Sequence, residues 1–207
     1  MCCIVALEAI HANGVVYRGL SPDTLLVSQD GVVILSNFQH ARQNPEGNFT
    51  ICGTPEYLAP EVVQQQGHGL TADFWTLGVV LYELFTDSTP FQAPNELDVY
   101  AKICRHKLNG LKDLEGTTDN LKEAGKGGAL AWIEKLVDPN AEKRLGGSNG
   151  ESARKAAGSW IGASEWKKFE NKFFMDEAAN QLRNKISAGD GLMASEYKGK
   201  SDWCEGW

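Results

Sequence analysis

VVYRGLSPDTLLVSQDGVVILSNF, residues Val15 to Phe38, is the stretch whose reading decides the fold. It opens on a short apolar strand, turns through a tight polar loop ending in Ser21-Pro22-Asp23, and continues as two apolar runs split by the Asp30-Gly31 turn signal. That order is strand, loop, hairpin. Before it, Ile4, Val5, Leu7 and Ile10 fall at helical spacing around Glu8 and His11, and Asn13-Gly14 supplies a C-cap, so residues 2–12 read as a helix. After it, the apolar run Phe74 to Phe85 contains Glu83 and follows Asp73, which marks a buried core helix rather than a membrane span.

The chain has 207 residues, enough for one domain with a sizeable core and a tail. Its formal net charge of -7, without a basic stripe, excludes a nucleic-acid binder whose affinity rests on clustered Lys and Arg. Cys2, Cys3, Cys52, Cys104 and Cys204 are scattered without C-x-x-C spacing, which points to a reduced, cytoplasmic setting rather than a disulfide scaffold. His11, His40, His68 and His106 lack metal-ligand spacing and read as surface or capping histidines, so no metal site of His or Cys is expected. No basic segment followed by an apolar run marks a signal peptide, and no membrane partner is expected. Gly110 to Gly128 is polar and glycine-rich, a surface insertion ahead of a helix over Ala129 to Val137.

Tyr17-Arg18-Gly19-Leu20-Ser21-Pro22-Asp23-Thr24 resembles the catalytic loop of the eukaryotic protein kinases, H-R-D-L-K-P-x-N, with Tyr for the His as in one kinase group. Three further motifs follow in the family's order. Gly53-Thr54-Pro55-Glu56-Tyr57-Leu58-Ala59-Pro60-Glu61, with Cys52 before it, is similar to the end of the activation segment in the cyclic-nucleotide-dependent branch. Asp73-Phe74-Trp75-Thr76-Leu77-Gly78 resembles D-x-W-x-x-G, whose Asp caps the central helix and binds the catalytic-loop backbone; Asp138 to Gly146 resembles the late segment whose Arg pairs with the Glu of A-P-E. The resemblance implies an α+β, protein-kinase-like fold: a mainly helical C-lobe with small β-hairpins over residues 1–165, the N-lobe absent, and a C-terminal tail over 166–207 bearing Trp203 and Trp207. In finer detail it is similar to the kinase-like domain that plants and algae fuse to a type 2C phosphatase and cyclic-nucleotide-binding domains.

The frame matches and the reactive positions do not. Gly19 stands where the family has its proton-accepting Asp, Ser21 where it has the phosphate-steadying Lys, and Thr24 where it has a metal-binding Asn. Asn37-Phe38-Gln39 replaces D-F-G, so both positions that hold Mg2+ with ATP in the family, Thr24 and Asn37, are neutral. A hard dication prefers carboxylate oxygens, so metal affinity should drop sharply. Thr50 falls on the activation-loop phosphosite, with Arg18 and Arg42 where basic residues receive the phosphate. Asp23, Thr54 and Glu83 fall in the groove where basophilic relatives recognise Arg-containing peptides, and Asp73, Glu61 and Arg144 are structural anchors. Sequence therefore points to a pseudokinase that binds basic peptides as a regulatory module. The competing expectation is an active ATP-dependent Ser/Thr kinase with a substitute base such as Asp23, and a third is a decayed fragment without a ligand.

Overall fold

The computed structural model describes residues 2–28, 32–43, 47–106 and 129–146 together with Ala153. All lie in the first of the two units into which the chain divides, Met1–Ile161. The Asp30-Gly31 turn, the glycine-rich insertion, the tail aromatics and Cys204 lie outside the described residues.

Helix α1, Cys2–His11, buries Ile4, Val5 and Leu7, and its chain leaves through Gly14 at φ 69, whose N–H reaches the His11 carbonyl at 2.9 Å. Strand β1, Val15–Val16, follows, and then a single 3-10 turn, Pro22–Thr24, set by the proline at its start. Strands β2, Leu25–Val27, and β3, Val33–Leu35, pair antiparallel with Leu26 opposite Ile34. Leu35 turns into the core, while Leu26, Val27 and Ile34 remain exposed. A second 3-10 turn, Phe38–His40, leads to β4, Arg42–Gln43, which returns to pair with β1, Val16 opposite Arg42. The small hairpins expected from the sequence are thus two separate two-stranded sheets.

The helical part is built on α3, Thr71–Thr86, flanked by the short α2, Pro60–Val63, by α4, Glu96–Cys104, and by α5, Ala129–Leu136. Phe74, Trp75 and Val79 on α3 are completely buried. Gly78 lets α5 lie directly against α3: a Cβ there would sit 2.8 Å from both Leu136 Cβ and Val137 Cγ1. Any larger residue would force the two helices apart. Gly146 has the same kind of role at φ 106, where a Cβ would enter the ring of Phe74. Trp75 stacks on Phe91 with ring centroids 5.5 Å apart, and the Arg144 guanidinium lies 5.1 Å from its ring.

One expectation is corrected here. Asp73 does not cap α3; the residue at the cap is Leu70, without a side-chain cap bond, and Asp73, the third residue of the helix, turns its carboxylate to the loop after β1 instead. No helix among the described residues is long and apolar enough to cross a membrane.

Candidate functional site

The loop after β1 is held from below by Asp73. Its Oδ2 accepts the Tyr17 N–H at 2.8 Å and its Oδ1 the Arg18 N–H at 2.7 Å, and His11 Nε2 lies 2.7 Å from Oδ2. All three groups are drawn in because Asp73 is 1% exposed, and a carboxylate so buried needs donors to replace water. With its backbone so fixed, Arg18 takes a left-handed φ of 59. Its Nε donates to the His40 carbonyl at 2.7 Å, tying the loop to the 3-10 turn of Phe38–His40.

Gly19 follows with no functional group. A Cβ at that position would meet His40 Cδ2 at 3.6 Å and the Tyr17 carbonyl at 3.7 Å, ordinary contact distances, so the space for a side chain persists. The hydroxyl of Thr24 is already committed: Oγ1 donates to the Ser21 carbonyl at 2.9 Å and accepts the Ser21 N–H at 3.0 Å. Both Ser21 and Thr24 are buried, and the Thr24 carbonyl receives the Ser36 N–H at 2.9 Å and the Ser36 hydroxyl at 3.0 Å. Asn37 is exposed in the left-handed region at φ 52, a conformation that Asn tolerates better than most residues. The Tyr17 hydroxyl donates to the Ser36 carbonyl, and its ring packs edge-on against Phe38 at 5.1 Å.

These residues do not fit a magnesium ion. The Thr24 oxygen is spent on its own loop, Asn37 is neutral, and no group of three or more His, Cys, Asp or Glu side chains among the described residues is arranged to hold a metal.

A second cluster surrounds Tyr57 and Glu56. The Tyr57 hydroxyl donates to Glu83 Oε2 at 2.7 Å, and Thr89 donates its hydroxyl to Glu56. Burial, then Glu83, Glu56 and Asp23, all push the Tyr57 phenol above its ordinary range, so it remains a proton donor at neutral pH. Asp23 and Thr54 are exposed and Glu83 half-buried. Sequence reading missed Tyr57 and Glu56, although both lie inside the quoted motif; what singles them out is the fold that carries α3 past them.

Thr50 and Arg42 are exposed, and no hydrogen bond joins Thr50 to Arg18 or Arg42 among the described residues. The anchoring pair is close: Arg144 meets Glu61 through two bonds of 2.6 and 2.9 Å, and donates further to the Thr71 carbonyl at 3.0 Å and the Asp138 carbonyl at 2.9 Å.

Two histidines correct the surface expectation. His11 and His68 are buried, at 5% and 4% exposure. His106 is tied into the fold as well, its Nε2 donating to the Val137 carbonyl at 2.7 Å. Burial first, and the Arg18 charge second, hold His68 below its ordinary value of 6.5, with Glu61 and Asp73 pulling weakly the other way. The unfolded chain takes up a proton near pH 6.5 that folded His68 refuses, so folding stability falls as pH drops below that value and returns above it. Urea midpoints of the native chain and His68→Gln at pH 7.5 and 5.5 check this: the native chain should lose more on acidification than the variant.

The whole stretch from α1 to beyond Gly146 matches the family described as protein kinase domain, over residues 2–156. The chain belongs to the protein kinase family. It is 30% identical over 201 residues to the human (Homo sapiens) cAMP-dependent protein kinase catalytic subunit PRKX, covering 97% of this chain and 52% of that protein. To the Mus musculus protein of the same name it is 32% identical over 163 residues, 79% of this chain and 43% of the relative. Protein kinase 2 of Dictyostelium discoideum is 34% identical over 188 residues, 90% of this chain and 36% of the relative. The chain thus spans about half the length, or less, of these relatives. With such relatives it is a Ser/Thr-kinase-like domain of the AGC type. Members of the family generally use ATP with Mg2+.

Proposed function

We propose that this domain is a pseudokinase, a regulatory module that holds basic peptides without phosphorylating them. One observation carries the reading: the support of the loop is complete while its reactive positions are empty or occupied. Asp73 still grips two backbone N–H groups and Glu61 still grips Arg144, yet Gly19 offers no base and the Thr24 hydroxyl is turned back on Ser21. A positioned base contributes about 10²- to 10⁴-fold to a proton-transfer step, so its loss alone leaves little turnover.

The peptide would approach the carboxylates around Tyr57. The Tyr57 hydroxyl fixes Glu83 through Oε2, leaving Oε1 for a guanidinium, and Asp23 and Glu56 add negative charge that the Tyr57 phenol feels. Thr54 flanks the place where the acceptor residue would lie. Residues 1–165 act as this lobe and 166–207 as its tail, in the cytoplasm. On the resemblance of its motifs to the plant and algal phosphatase fusions, its partners in signalling are cyclic-nucleotide-binding and phosphatase domains; the short apolar β2–β3 face is suited to packing against another protein surface.

The test is binding and transfer measured side by side. The full-length gene product should bind an Arg-rich peptide and leave it unphosphorylated in Mg-ATP, and Glu83→Gln should weaken binding by roughly 1 kcal/mol, about fivefold. Phosphate transfer by the native protein, or peptide affinity indifferent to Glu83, would refute the reading.

A further inference from the structure

Residues 47–51 run along the surface: Gly47, Phe49, Thr50 and Ile51 are exposed. Asn48 is the exception at 1% exposure, and the loop before α3 holds it there. The two segments meet in an antiparallel bridge, the His68 N–H donating to the Asn48 carbonyl at 2.8 Å and the Asn48 side-chain amide to the His68 carbonyl at 3.4 Å. Beside the bridge the Phe49 ring lies over Gly67, near enough that a Cβ there would come within 3.2 Å of it. Further along, a Cβ on Gly53 would sit 3.0 Å from the Arg18 carbonyl. One buried residue thus clasps an otherwise exposed stretch, the kind of contact that opens locally at lower cost than the domain unfolds.

The clasp carries a titratable ring. His68 is 4% exposed, and neither Nδ1 nor Nε2 has a hydrogen-bond partner among the described residues. The charged groups facing the ring are Arg18 from the loop after β1, Glu61 from α2 and Asp73 from α3. Both carboxylates are already engaged, Glu61 with Arg144 and Asp73 with Tyr17, Arg18 and His11. A proton on the closed ring would leave two buried N–H donors without acceptors and set a second cation near Arg18. Once the bridge parts, water solvates the ring and it takes a proton at its ordinary value of 6.5.

We propose that the Asn48–His68 bridge is a proton-controlled latch, closed over a neutral His68 ring and released when that ring is protonated. Burial, and then the Arg18 charge, hold the closed ring below 6.5, so the open form binds the proton more tightly. The proton therefore shifts the population toward the open form. The latch is at full strength above pH 6.5 and weakens as pH falls through and below that value. Its release frees residues 48–52 while the rest of the domain stays folded. The inference rests on the bridge alone and stands whether or not the domain binds peptides or transfers phosphate.

Amide hydrogen exchange of the full chain, followed by NMR at pH 7.5 and 5.5, tests the latch, each rate being divided by the intrinsic rate at that pH to give an opening constant. The probe is the His68 N–H, which the bridge protects, and the reference is the Tyr17 N–H, held on buried Asp73. The His68 amide should have the larger opening constant at both pH values. On acidification that constant should rise about tenfold, the most that one histidine of ordinary value 6.5 contributes over this range. The rise should vanish in His68→Gln, or in His68→Phe if the glutamine variant fails to fold. Equal constants for the two amides would mean that the bridge parts only with global unfolding, and would overturn the latch. A rise under about threefold, or one that persists in the variant, overturns it too. If neither variant folds, the native profile decides: the His68 constant should be level above about pH 7 and climb below it, and a climb that starts at higher pH belongs to another group.

Discussion

Replacing Arg144 with alanine is expected to cost about 3–5 kcal/mol of folding stability, the range for removing one partner of a buried ion pair. The side chain is 2% exposed and makes four hydrogen bonds, two of them to Glu61, besides lying over Trp75. Truncation leaves the Glu61 carboxylate, 8% exposed, with no counter-charge, and frees the Thr71 and Asp138 carbonyls. A domain is stable by about 5–15 kcal/mol in all, so the loss is a large share of the total. The double change Glu61→Leu with Arg144→Met should recover part of it, since an apolar pair carries no desolvation penalty. Urea unfolding measures both. A cost below about 1 kcal/mol for Arg144→Ala would mean the pair merely offsets its own desolvation and that the segment is held by packing alone.

The largest expected gain is catalytic. Gly19→Asp combined with Asn37→Asp, made in the full-length gene product, should raise phosphate transfer to an Arg-rich peptide above the native protein by about 10²-fold, the lower end of what a positioned base contributes. The scaffold accepts both changes. A Cβ at Gly19 meets only ordinary contacts, and Gly19 is absent from the residues at positive φ; Asn37 has φ 52, which Asp also tolerates. The recovery stays partial because Thr24 remains folded onto Ser21 and Ser21 stands in place of a lysine. Losses and gains within one catalytic unit do not multiply, so the pair is tested together. A peptide assay with radiolabelled ATP reads the outcome. Native protein that already matches the double variant would show that a substitute base operates and that the altered positions are not limiting.

A substitute base would have to come from the groups that the fold brings near Gly19. Asp23, the acid weighed from sequence, is exposed on the outer side of its 3-10 turn and shares its field with Tyr57. His40 is the ring beside the empty position, at 3.6 Å from where a Cβ would lie, and its carbonyl is already bound to Arg18. An aspartate introduced at Gly19 would therefore meet an imidazole that the sequence alone gives no reason to place there.

The order strand, loop, hairpin could be read directly from Val15 to Phe38, and the helical periodicity of residues 2–12 and 74–85 emerged as α1 and α3. Those are local properties: side-chain period, turn residues and apolar runs act within a few residues of one another. The substitutions at Gly19, Ser21, Thr24 and Asn37 were equally legible, because a missing functional group is visible without coordinates. Tertiary structure decided the rest. His11 reaches Asp73 across 62 positions and Tyr17 reaches it across 56, so no local pattern marks either contact. The resemblance makes Asp73 a helix cap, but its carboxylate lies where the loop after β1 offers two backbone N–H groups and helix α1 offers His11. The commitment of the Thr24 hydroxyl, the burial of His68 and the pairing of Tyr57 with Glu83 depend likewise on which chain segments meet. Composition names the groups; only packing sets which of them lose water and which partner replaces it.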